Sequence, residues 1–320
     1  MRMAKHAAAA ATLLPRPRRG TSILSYMNKH KYMYLMLVPA LVYYIVFHFV
    51  PMYGATIAFK DFNIVKGIAG SSWVGFKHFQ ALFELDKFYQ VVFNTVRISL
   101  LRLTFGFPFP IIVALLLNEV RHTWFKRSIQ TVIYLPHFIS WVILGGMLIN
   151  LLSVDSGVIN GLLRAMGMKP IPFLMQNDTF TGTLIVSMIW KEFGWSTIIY
   201  MAALSSVDPQ LYEAAIMDGA GRLRQVISIT LPSISSTILV VLILRIGGLM
   251  DAGFEQVFVL YHPGVYKSAD IIDTYVYRTG LADGKFSMAS AVGLFKSVIN
   301  FTLLIVANRA SRSLGEGGVF

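Results

Sequence analysis

Six long apolar stretches restrict the folds open to this chain more than any other feature of its sequence. Each is long enough to cross ~30 Å of hydrocarbon as a helix that rises ~1.5 Å per residue. The stretches are residues 32–53, 91–117, 129–152, 182–204, 234–250 and 288–307. Hydrophobic residues make up 55% of the 320 residues and charged residues only 14%, whereas about 25% of a soluble domain is charged. The sequence therefore predicts an all-α polytopic membrane protein with six transmembrane helices.

Prolines inside two of these stretches predict irregular helices. Pro108 and Pro110 lie in the second stretch, and Pro136 lies in the third. Each proline removes a backbone donor and leaves a carbonyl that needs a partner in the protein or in a wet cavity. We therefore expect these helices to be kinked, with the kinks near a polar path through the membrane rather than toward lipid.

Basic residues in the connecting segments predict the orientation of the chain. One set of segments contains 14 Lys and Arg against five Asp and Glu, namely residues 1–31, 118–128, 205–233 and 308–320. The other set contains nine Lys and Arg against ten Asp and Glu, namely residues 54–90, 153–181 and 251–287. Because cytoplasmic loops are enriched in Lys and Arg, the first set and both termini are predicted to be cytoplasmic.

The predicted domain organisation is simple. Residues 1–31 form a basic, mobile cytoplasmic tail, residues 32–312 form one transmembrane domain, and residues 313–320 form a short cytoplasmic end. The tail has seven Lys and Arg and no acidic residue, which favours contact with anionic headgroups. Its apolar run ends at Pro15, too early for a secretory signal, so we expect no cleaved signal peptide. Aromatic clusters in residues 54–90 and 251–287 predict surface helices or lids, which either receive an extracytoplasmic binding protein or simply cap the bundle.

Several functional classes are disfavoured by the composition. The net charge is +12, but the basic residues do not form one stripe with interleaved aromatics, so we expect no nucleic-acid binding. There is no cysteine, and the seven histidines lack metal-ligand spacing, so no catalytic residue, metal site or resident cofactor is expected. The chain also lacks a GxxxxGK[ST] loop, so it is not expected to bind ATP in that manner.

A patterned segment, which we call the 205–233 loop, lies between the fourth and fifth stretches. Asp208 followed by Pro209 predicts a helix start, because Asp is a good N-cap and Pro suits the first helical position. Leu211, Ala214, Ala215 and Asp218 then lie on one narrow face of this helix. A positive φ or a close approach is expected at Gly219 and Gly221. The candidate contact residues are Glu213, Ala214, Ala215, Asp218, Gly219, Ile229, Leu231 and Pro232.

This loop resembles the EAA loop of ABC importer permeases, through its Glu-Ala-Ala triplet, Gly219 and the run 229–232. The resemblance implies short helices that dock into a cleft of an ATPase subunit and transmit its closing motion. An amphipathic connection without a partner is the alternative. Further motifs resemble the polysaccharide and oligosaccharide branch of the maltose-type permeases, namely residues 47–54, 73–79, 134–141 and 251–258.

The wider resemblance covers about residues 31–312 and implies a set of partners. These are a second homologous permease, two ATPase subunits that bind ATP and Mg²⁺ and dock at the 205–233 loop, and an extracytoplasmic solute-binding protein. It also implies residence in the bacterial cytoplasmic membrane and import of sugar oligomers. The likeness is greatest to permeases for uronate-containing chains such as alginate.

Five cations inside the predicted spans form a candidate substrate path: Arg97, Arg102, Lys191, Arg245 and Lys296. Charges at such depth are costly and normally face a protein interior or water. Arg97, Arg245 and Lys296 are expected at a similar depth in the membrane, where they could form one belt that attracts a polycarboxylate. The alternative is that two of them reach the outer interface and that Lys191 pairs locally with Glu192, the only acid in the spans.

Two other functional classes and one other substrate class stay open. An ion-coupled secondary transporter would use a carboxylate near the midplane, for which only Glu192 is available, and would leave the 205–233 loop unexplained. A membrane enzyme would need a cluster of catalytic groups in one pocket, which the dispersed polar residues do not suggest. A permease for a neutral oligosaccharide would need no basic path.

Overall fold

The structure, a computed structural model, describes residues 29–313. Most of the predicted tail, residues 1–28, and residues 314–320 lie outside the described residues. The first nine α-helices are α1 (Lys31–Tyr44), α2 (Val50–Met52), α3 (Gly67–Gly70), α4 (Lys77–Phe83), α5 (Asp86–Leu101), α6 (Pro108–Glu119), α7 (Thr123–Tyr134), α8 (Trp141–Leu151) and α9 (Val158–Ala165). The next nine are α10 (Asn177–Ser205), α11 (Pro209–Met217), α12 (Arg222–Gln225), α13 (Leu231–Ser233), α14 (Ser235–Gly247), α15 (Phe254–Leu260), α16 (Tyr266–Ala269), α17 (Ile272–Tyr277) and α18 (Phe286–Ser313).

Strands are almost absent from the described part of the chain. The strands β1 (Lys60–Asp61) and β2 (Ser72–Trp73) pair antiparallel, with Lys60 opposite Trp73. The predicted all-α fold is confirmed. Internal contacts divide the chain into two units at the bond between Thr56 and Ile57. The first unit contains α1 and α2, and the second contains all the other helices, both strands and every site described below.

Five of the six predicted spans have counterparts that are long and apolar enough to cross a membrane. Three are continuous helices, namely Lys31–Phe59, Asp86–Glu119 and Phe286–Ser313. Two are bent pairs, namely Thr123–Phe138 with Trp141–Leu151, bent by 100°, and Arg222–Ser233 with Ser235–Gly247, bent by 61°. The described residues therefore offer three span candidates, or five if each bent pair crosses once.

The predicted fourth span lies in α10, which has 29 residues but is less apolar than the other candidates. Its buried residues include Ile185, Lys191, Thr197 and Tyr200, and they occur on several sides of the helix. A helix that faces protein on most sides does not need the apolar surface that lipid demands. The crossing of the membrane by α10 therefore stays a prediction.

Proline positions explain three irregular turns. Each of three five-residue π-helical segments, Ile45–Phe49, Arg102–Gly106 and Val226–Thr230, ends two residues before a proline. The ring of a helical proline clashes with the carbonyl of the residue four positions earlier. In each of the three segments, that earlier residue belongs to the π turn, which is wider than an α-helical turn. Pro108 therefore sits in a continuous helix rather than at a sharp kink. Pro136 lies beside the 100° bend, as the predicted kink requires.

The connection of residues 251–287 forms much of the interior of the second unit. Ala252, Val257, Ala269, Ile271 and Ile272 are all fully buried. Helix α15 lies against α8, and α16 lies against α10, so this connection fills the space between the longer helices. The expectation of surface helices or lids is wrong for these residues.

The other connection, residues 54–90, does carry an exposed aromatic cluster. Phe59 and Trp73 stack with ring centroids 5.6 Å apart, and Phe76 and Phe79 pack around Phe59. The short β1–β2 pair holds this cluster together. Trp73 and Phe76 stay exposed, in agreement with a surface position.

Candidate functional site

The 205–233 loop folds as the sequence predicts at Asp208 and Gly219, but the prediction for Gly221 is wrong. Asp208 caps α11, because its Oδ1 accepts a hydrogen bond from the backbone N–H of Gln210 at 2.9 Å. Gly219 follows α11 with a φ of +75°, a left-handed conformation that glycine adopts at little cost. Gly221 has a φ of −67°, so its backbone conformation does not require glycine.

The candidate contact residues of this loop fall into two groups. Glu213, Ala214, Asp218 and Gly219 are exposed and Ala215 is half-buried, so α11 and its end present a continuous surface. The second group lies on the segment that leads into α14, where Ile229 and Leu231 are half-buried and Pro232 is exposed.

Apolar side chains around α11 are left uncovered within the described chain. Met217 is 87% exposed, Leu223 is 73% exposed and Ile216 is 61% exposed. Scattered exposed apolar residues are normal, but a group of this size on one loop is typical of an interaction surface.

Two side-chain contacts anchor the loop to its neighbours. The hydroxyl of Tyr212 lies 2.9 Å from that of Thr230, which joins α11 to the segment before α14. Arg222 pairs with Glu119 at 3.1 Å, which joins the loop to the end of α6. Motion of α11 would therefore reach two of the long helices.

A cavity of about 100 Å³, which we call the arginine cavity, lies among α5, α6, α10 and α14. Its polar lining consists of Ser99, Arg102, Glu192, Ser196, Arg245 and Asp251. The π turn Arg102–Gly106 forms part of its wall, and Pro110 lines it as well. In place of the predicted kink, the second span thus has a π turn within a continuous helix, and this turn borders a polar cavity.

Arg102 is held in this cavity by the start of the 251–287 connection. Its Nη1 donates to the carbonyl of Ala252 at 2.9 Å and to Oε1 of Gln256 at 3.2 Å. Gln256 is itself fully buried and donates to the carbonyl of Leu184 at 2.8 Å. Gly253 has a φ of +84°, and a Cβ there would lie 1.8 Å from Arg102 Nη1. Arg102 can therefore reach its place only because residue 253 has no side chain.

Arg245 enters the same cavity from α14. Its Nη2 donates to Oγ of Ser196 at 3.2 Å. Among residues 29–313 there are eight ion pairs within 4.0 Å, and none of them uses Arg97, Arg102 or Arg245. The carboxylates of Glu192 and Asp251 line the cavity without reaching the two arginines at that distance.

Lys191 occupies a different place, at the 100° bend. Its Nζ donates to the carbonyl of His137 at 2.9 Å and lies 3.8 Å from Glu192. It also lies over the ring of Trp141, 5.4 Å from its centroid. Glu192 reaches His137 as well, at 3.5 Å, and the His137 ring stacks on Trp195. The expected local pairing of Lys191 with Glu192 is thus present.

Lys296 is neutralised by two carboxylates that the sequence did not suggest. Its Nζ lies 2.5 Å from Asp251 and 2.6 Å from Asp273. Both acids belong to the 251–287 connection, which was predicted to lie outside the spans. Asp251 and Asp273 therefore join Glu192 as acids among the deep cations.

Arg97 lies in a separate groove, near the end of α5. Its Nη2 donates to Oγ1 of Thr181 at 3.0 Å. The groove has a volume of about 840 Å³, and Lys267 and Asp178 also line it. The predicted single belt is therefore wrong: Arg102 and Arg245 share a cavity, Lys191 lies at the bend, Lys296 is in an ion triad, and Arg97 is in its own groove.

A buried ion cluster ties the 251–287 connection to α5. The Asp270 carboxylate is fully buried and lies 2.7 Å from Arg278 and 3.2 Å from Lys87. Burial lowers the pKa of Arg278, but the hydrogen bond and charge of Asp270 outweigh it, so that pKa is raised above its ordinary value. Within residues 29–313 no group of three or more His, Cys, Asp or Glu side chains is placed to hold a metal ion.

Comparison with known proteins identifies the family. Residues 106–315 match the family described as the inner membrane component of binding-protein-dependent transport systems. The chain belongs to this family. Such a component is the permease of an ABC importer, so the predicted family is confirmed.

Relatives of this permease match over nearly its whole length. It is 49% identical over 298 residues to the polygalacturonan/rhamnogalacturonan transport system permease protein YteP of Bacillus subtilis, covering 93% of each chain. It is also similar to a chain of a crystal structure described as a bacterial ABC transporter involved in the import of the acidic polysaccharide alginate, with a TM-score of 0.87, 39% identity, and coverage of 92% of this chain and 100% of that one. A crystal structure of a bacterial alginate ABC transporter in complex with an alginate pentasaccharide-bound periplasmic protein matches equally well, with a TM-score of 0.87, 39% identity, and coverage of 93% and 100%.

Proposed function

We propose that this permease forms half of the translocation path for an acidic oligosaccharide of the uronate class. The observation that carries the proposal is the arginine cavity, where Arg102 and Arg245 face the same space and neither has a carboxylate within 4.0 Å. A deep cation without a counter-ion costs at least ~2.5 kcal/mol on insertion scales. Glu192 and Asp251 line the same cavity but form their ion pairs with Lys191 and Lys296, so carboxylates of a passing substrate would pair directly with the two guanidinium groups.

The other deep cations contribute differently to this proposal. Lys296 already has two carboxylate partners, and Lys191 donates to a backbone carbonyl and pairs with Glu192. We therefore assign direct contact with substrate to Arg97, Arg102 and Arg245, and assign Lys191 and Lys296 to the walls of the path. Support for the substrate class comes from the relatives described above, whose descriptions name polygalacturonan, rhamnogalacturonan and alginate.

The proposed assembly follows from the family and from the exposed 205–233 loop. A second homologous permease completes the path, and two ATPase subunits hold ATP and Mg²⁺. One of these subunits docks on α11 and the residues after it, with Glu213, Ala214, Ala215, Asp218 and Gly219 as the main contacts. A solute-binding protein delivers the oligosaccharide from the opposite side of the cytoplasmic membrane. Both termini are then cytoplasmic, as the loop charges favour.

The test uses the complete importer, with its partner subunits, in proteoliposomes. ATPase activity is measured with binding protein loaded with tetragalacturonate or with maltotetraose. We expect stimulation by tetragalacturonate only, and a decline of this stimulation with salt, because the screening length shortens from ~10 Å at 0.1 M to ~3 Å at 1 M. Arg245→Gln should lower the stimulated rate at least tenfold while basal hydrolysis persists, since charged hydrogen bonds contribute about 1.5–3 kcal/mol.

The matched control is Lys285→Gln, which removes one exposed cation outside the cavity and should leave the stimulated rate unchanged. Equal stimulation by maltotetraose would favour a neutral oligosaccharide and refute the acidic substrate. Purification of the chain without any ATPase, together with ion-driven uptake, would favour a secondary transporter instead.

A further inference from the structure

The groove around Arg97 is a preformed pocket distinct from the arginine cavity. Asn94 donates to the carbonyls of Lys267 and Asp270, both at 3.1 Å, which fixes α16 against α5. Asn177 accepts from the backbone N–H of Ser268 at 3.0 Å, which fixes the start of α10 against α16. Three helices are thus tied together around the groove, and a ligand would not have to order its walls.

The charge of the groove is set by three side chains. Arg97 has one hydrogen-bond partner, Thr181, and a guanidinium has further donors free. Lys267 is exposed, and neither cation forms an ion pair within 4.0 Å among the described residues. Asp178 is the one carboxylate that lines the groove, so one positive charge is left over. This surplus suits a ligand with a single carboxylate per unit.

An aromatic ring completes the recognition chemistry. Phe93 lies one turn before Arg97 on α5, lines the groove and is 63% exposed. A flat apolar ring beside a guanidinium matches a sugar acid, which has an apolar C–H face and a planar carboxylate. Gln176 adds an exposed amide at the rim, which can bond to sugar hydroxyls.

We propose that the Arg97 groove is a binding subsite for one uronate unit, separate from the arginine cavity. The inference rests on the proposed function and adds a second station to the path. Arg97 and Arg102 are five residues apart along one helix, so the two stations lie about 7–8 Å apart along its axis and about 140° apart around it. They therefore open on different faces of the helix, and a uronate unit occupies them one after the other along the path.

The absence of cysteine from this chain permits a direct occupancy test. Gln176→Cys places one thiol at the rim of the groove, Ser196→Cys places one in the arginine cavity, and Ala282→Cys places one on an exposed turn elsewhere. Labelling by a charged methanethiosulfonate reagent is followed by the mass of this chain in the complete importer in nanodiscs. Tetragalacturonate should slow labelling several-fold at the first two positions and not at the third, and maltotetraose should slow none.

Charge variants in the Gln176→Cys background assign the protection to the groove. Arg97→Gln and Lys267→Gln should each reduce the protection, whereas Arg97→Lys should retain part of it. Lys285→Gln, an exposed cation that does not line the groove, should leave it unchanged.

The outcomes separate this inference from the proposed function. Protection at Ser196→Cys without protection at Gln176→Cys would overturn the groove subsite and leave the acidic substrate intact. Protection at Gln176→Cys that survives both groove variants would also overturn it. Equal protection by maltotetraose at both positions would overturn the uronate assignment itself.

Discussion

The position of the Arg102 guanidinium depends on Gly253, which has no side chain. The guanidinium crosses the backbone at Gly253 to reach the carbonyl of Ala252, and it would collide with any Cβ at that position. The left-handed φ of Gly253 adds a second reason for glycine. The direction of Arg102, and hence the charge in the arginine cavity, is set by a residue that does not itself line the cavity.

Gly253→Ala should displace Arg102 from Ala252 and Gln256. We expect substrate-stimulated ATPase activity to fall at least tenfold, because the loss of a charged hydrogen bond costs about 1.5–3 kcal/mol. The measurement is the stimulated rate relative to the basal rate in proteoliposomes. Gly284→Ala is the matched control, since Gly284 also has a positive φ, of +68°, but a Cβ there meets nothing within 4 Å. Equal losses in both variants would mean that backbone strain, rather than the position of Arg102, is responsible.

The sequence could locate the deep cations but not their partners. Arg102 and Lys296 stand out because charges are rare in long apolar runs. The acids Asp251 and Asp273 lie in a stretch that hydropathy assigns to a loop, and each is more than twenty residues from Lys296 in sequence. Only the folding of that stretch into the interior brings these side chains to within an ion-pair distance.

At the scale of elements, prolines mark the irregular places but do not fix the response. Pro108 is accommodated by a π turn within one continuous helix, while Pro136 begins a short 3₁₀ turn at the 100° bend. At the bend, the carbonyl of His137 receives Lys191, whose position on α10 no local pattern reveals.

Lys191→Met should weaken the bent element. The change removes the donor to the His137 carbonyl and leaves the partly buried Glu192 without its lysine. Breaking a buried ion pair from one side typically costs about 3–5 kcal/mol. We therefore expect a clear fall in the melting temperature of the detergent-solubilised complex.

The control for this change is Lys77→Met. Lys77 pairs with Asp61 at 3.9 Å, and both side chains are 64% exposed, so the melting temperature should hardly move. An unchanged melting temperature in Lys191→Met would show that the bend is held by packing alone.

The 205–233 loop supplies a second prediction for an element. Gly219→Ala forces a Cβ into a left-handed conformation, which costs about 1–2 kcal/mol, and should shift the end of α11. Gly221→Ala, two residues away, meets neither strain nor contact and is the matched control. We expect Gly219→Ala, and likewise Glu213→Lys, to lower transport per ATP hydrolysed in complexes that still purify intact. Wild-type transport in Gly219→Ala and Glu213→Lys would refute the role of this loop in coupling.

The 205–233 loop shows which structural features can be predicted from neighbouring residues in the sequence. The cap at Asp208, the proline at the first helical position and the positive φ at Gly219 are all fixed by neighbouring residues, and all three were predictable. The anchor between Arg222 and Glu119 was not, because it joins residues far apart in sequence.

At the scale of the whole molecule, hydropathy recovered the long apolar helices and missed the interior of the second unit. Residues 251–287 are broken by charges and by short helices, so they resemble an outer loop. Their apolar residues, such as Val257 and Ile271, are buried by α8 and α10 rather than by lipid. Burial of this kind comes from tertiary contacts between short helices, which a search for long apolar stretches cannot detect.

The place of this interior segment in the chain has a consequence for biosynthesis. Ile98, Leu184 and Phe180 belong to helices made early, yet they form one cluster with residues 252–271, which leave the ribosome after most of the spans. Before those residues are made, Arg102 and Thr95 also lack hydrogen-bond partners, because Arg102 donates to the carbonyl of Ala252 and Thr95 accepts from the backbone N–H of Ile272. Helices such as α6 and α10 can pack against each other before that point, but the cluster around Ile98 stays incomplete. A nascent chain stopped before residue 250 should therefore be degraded by membrane quality-control proteases faster than the full chain.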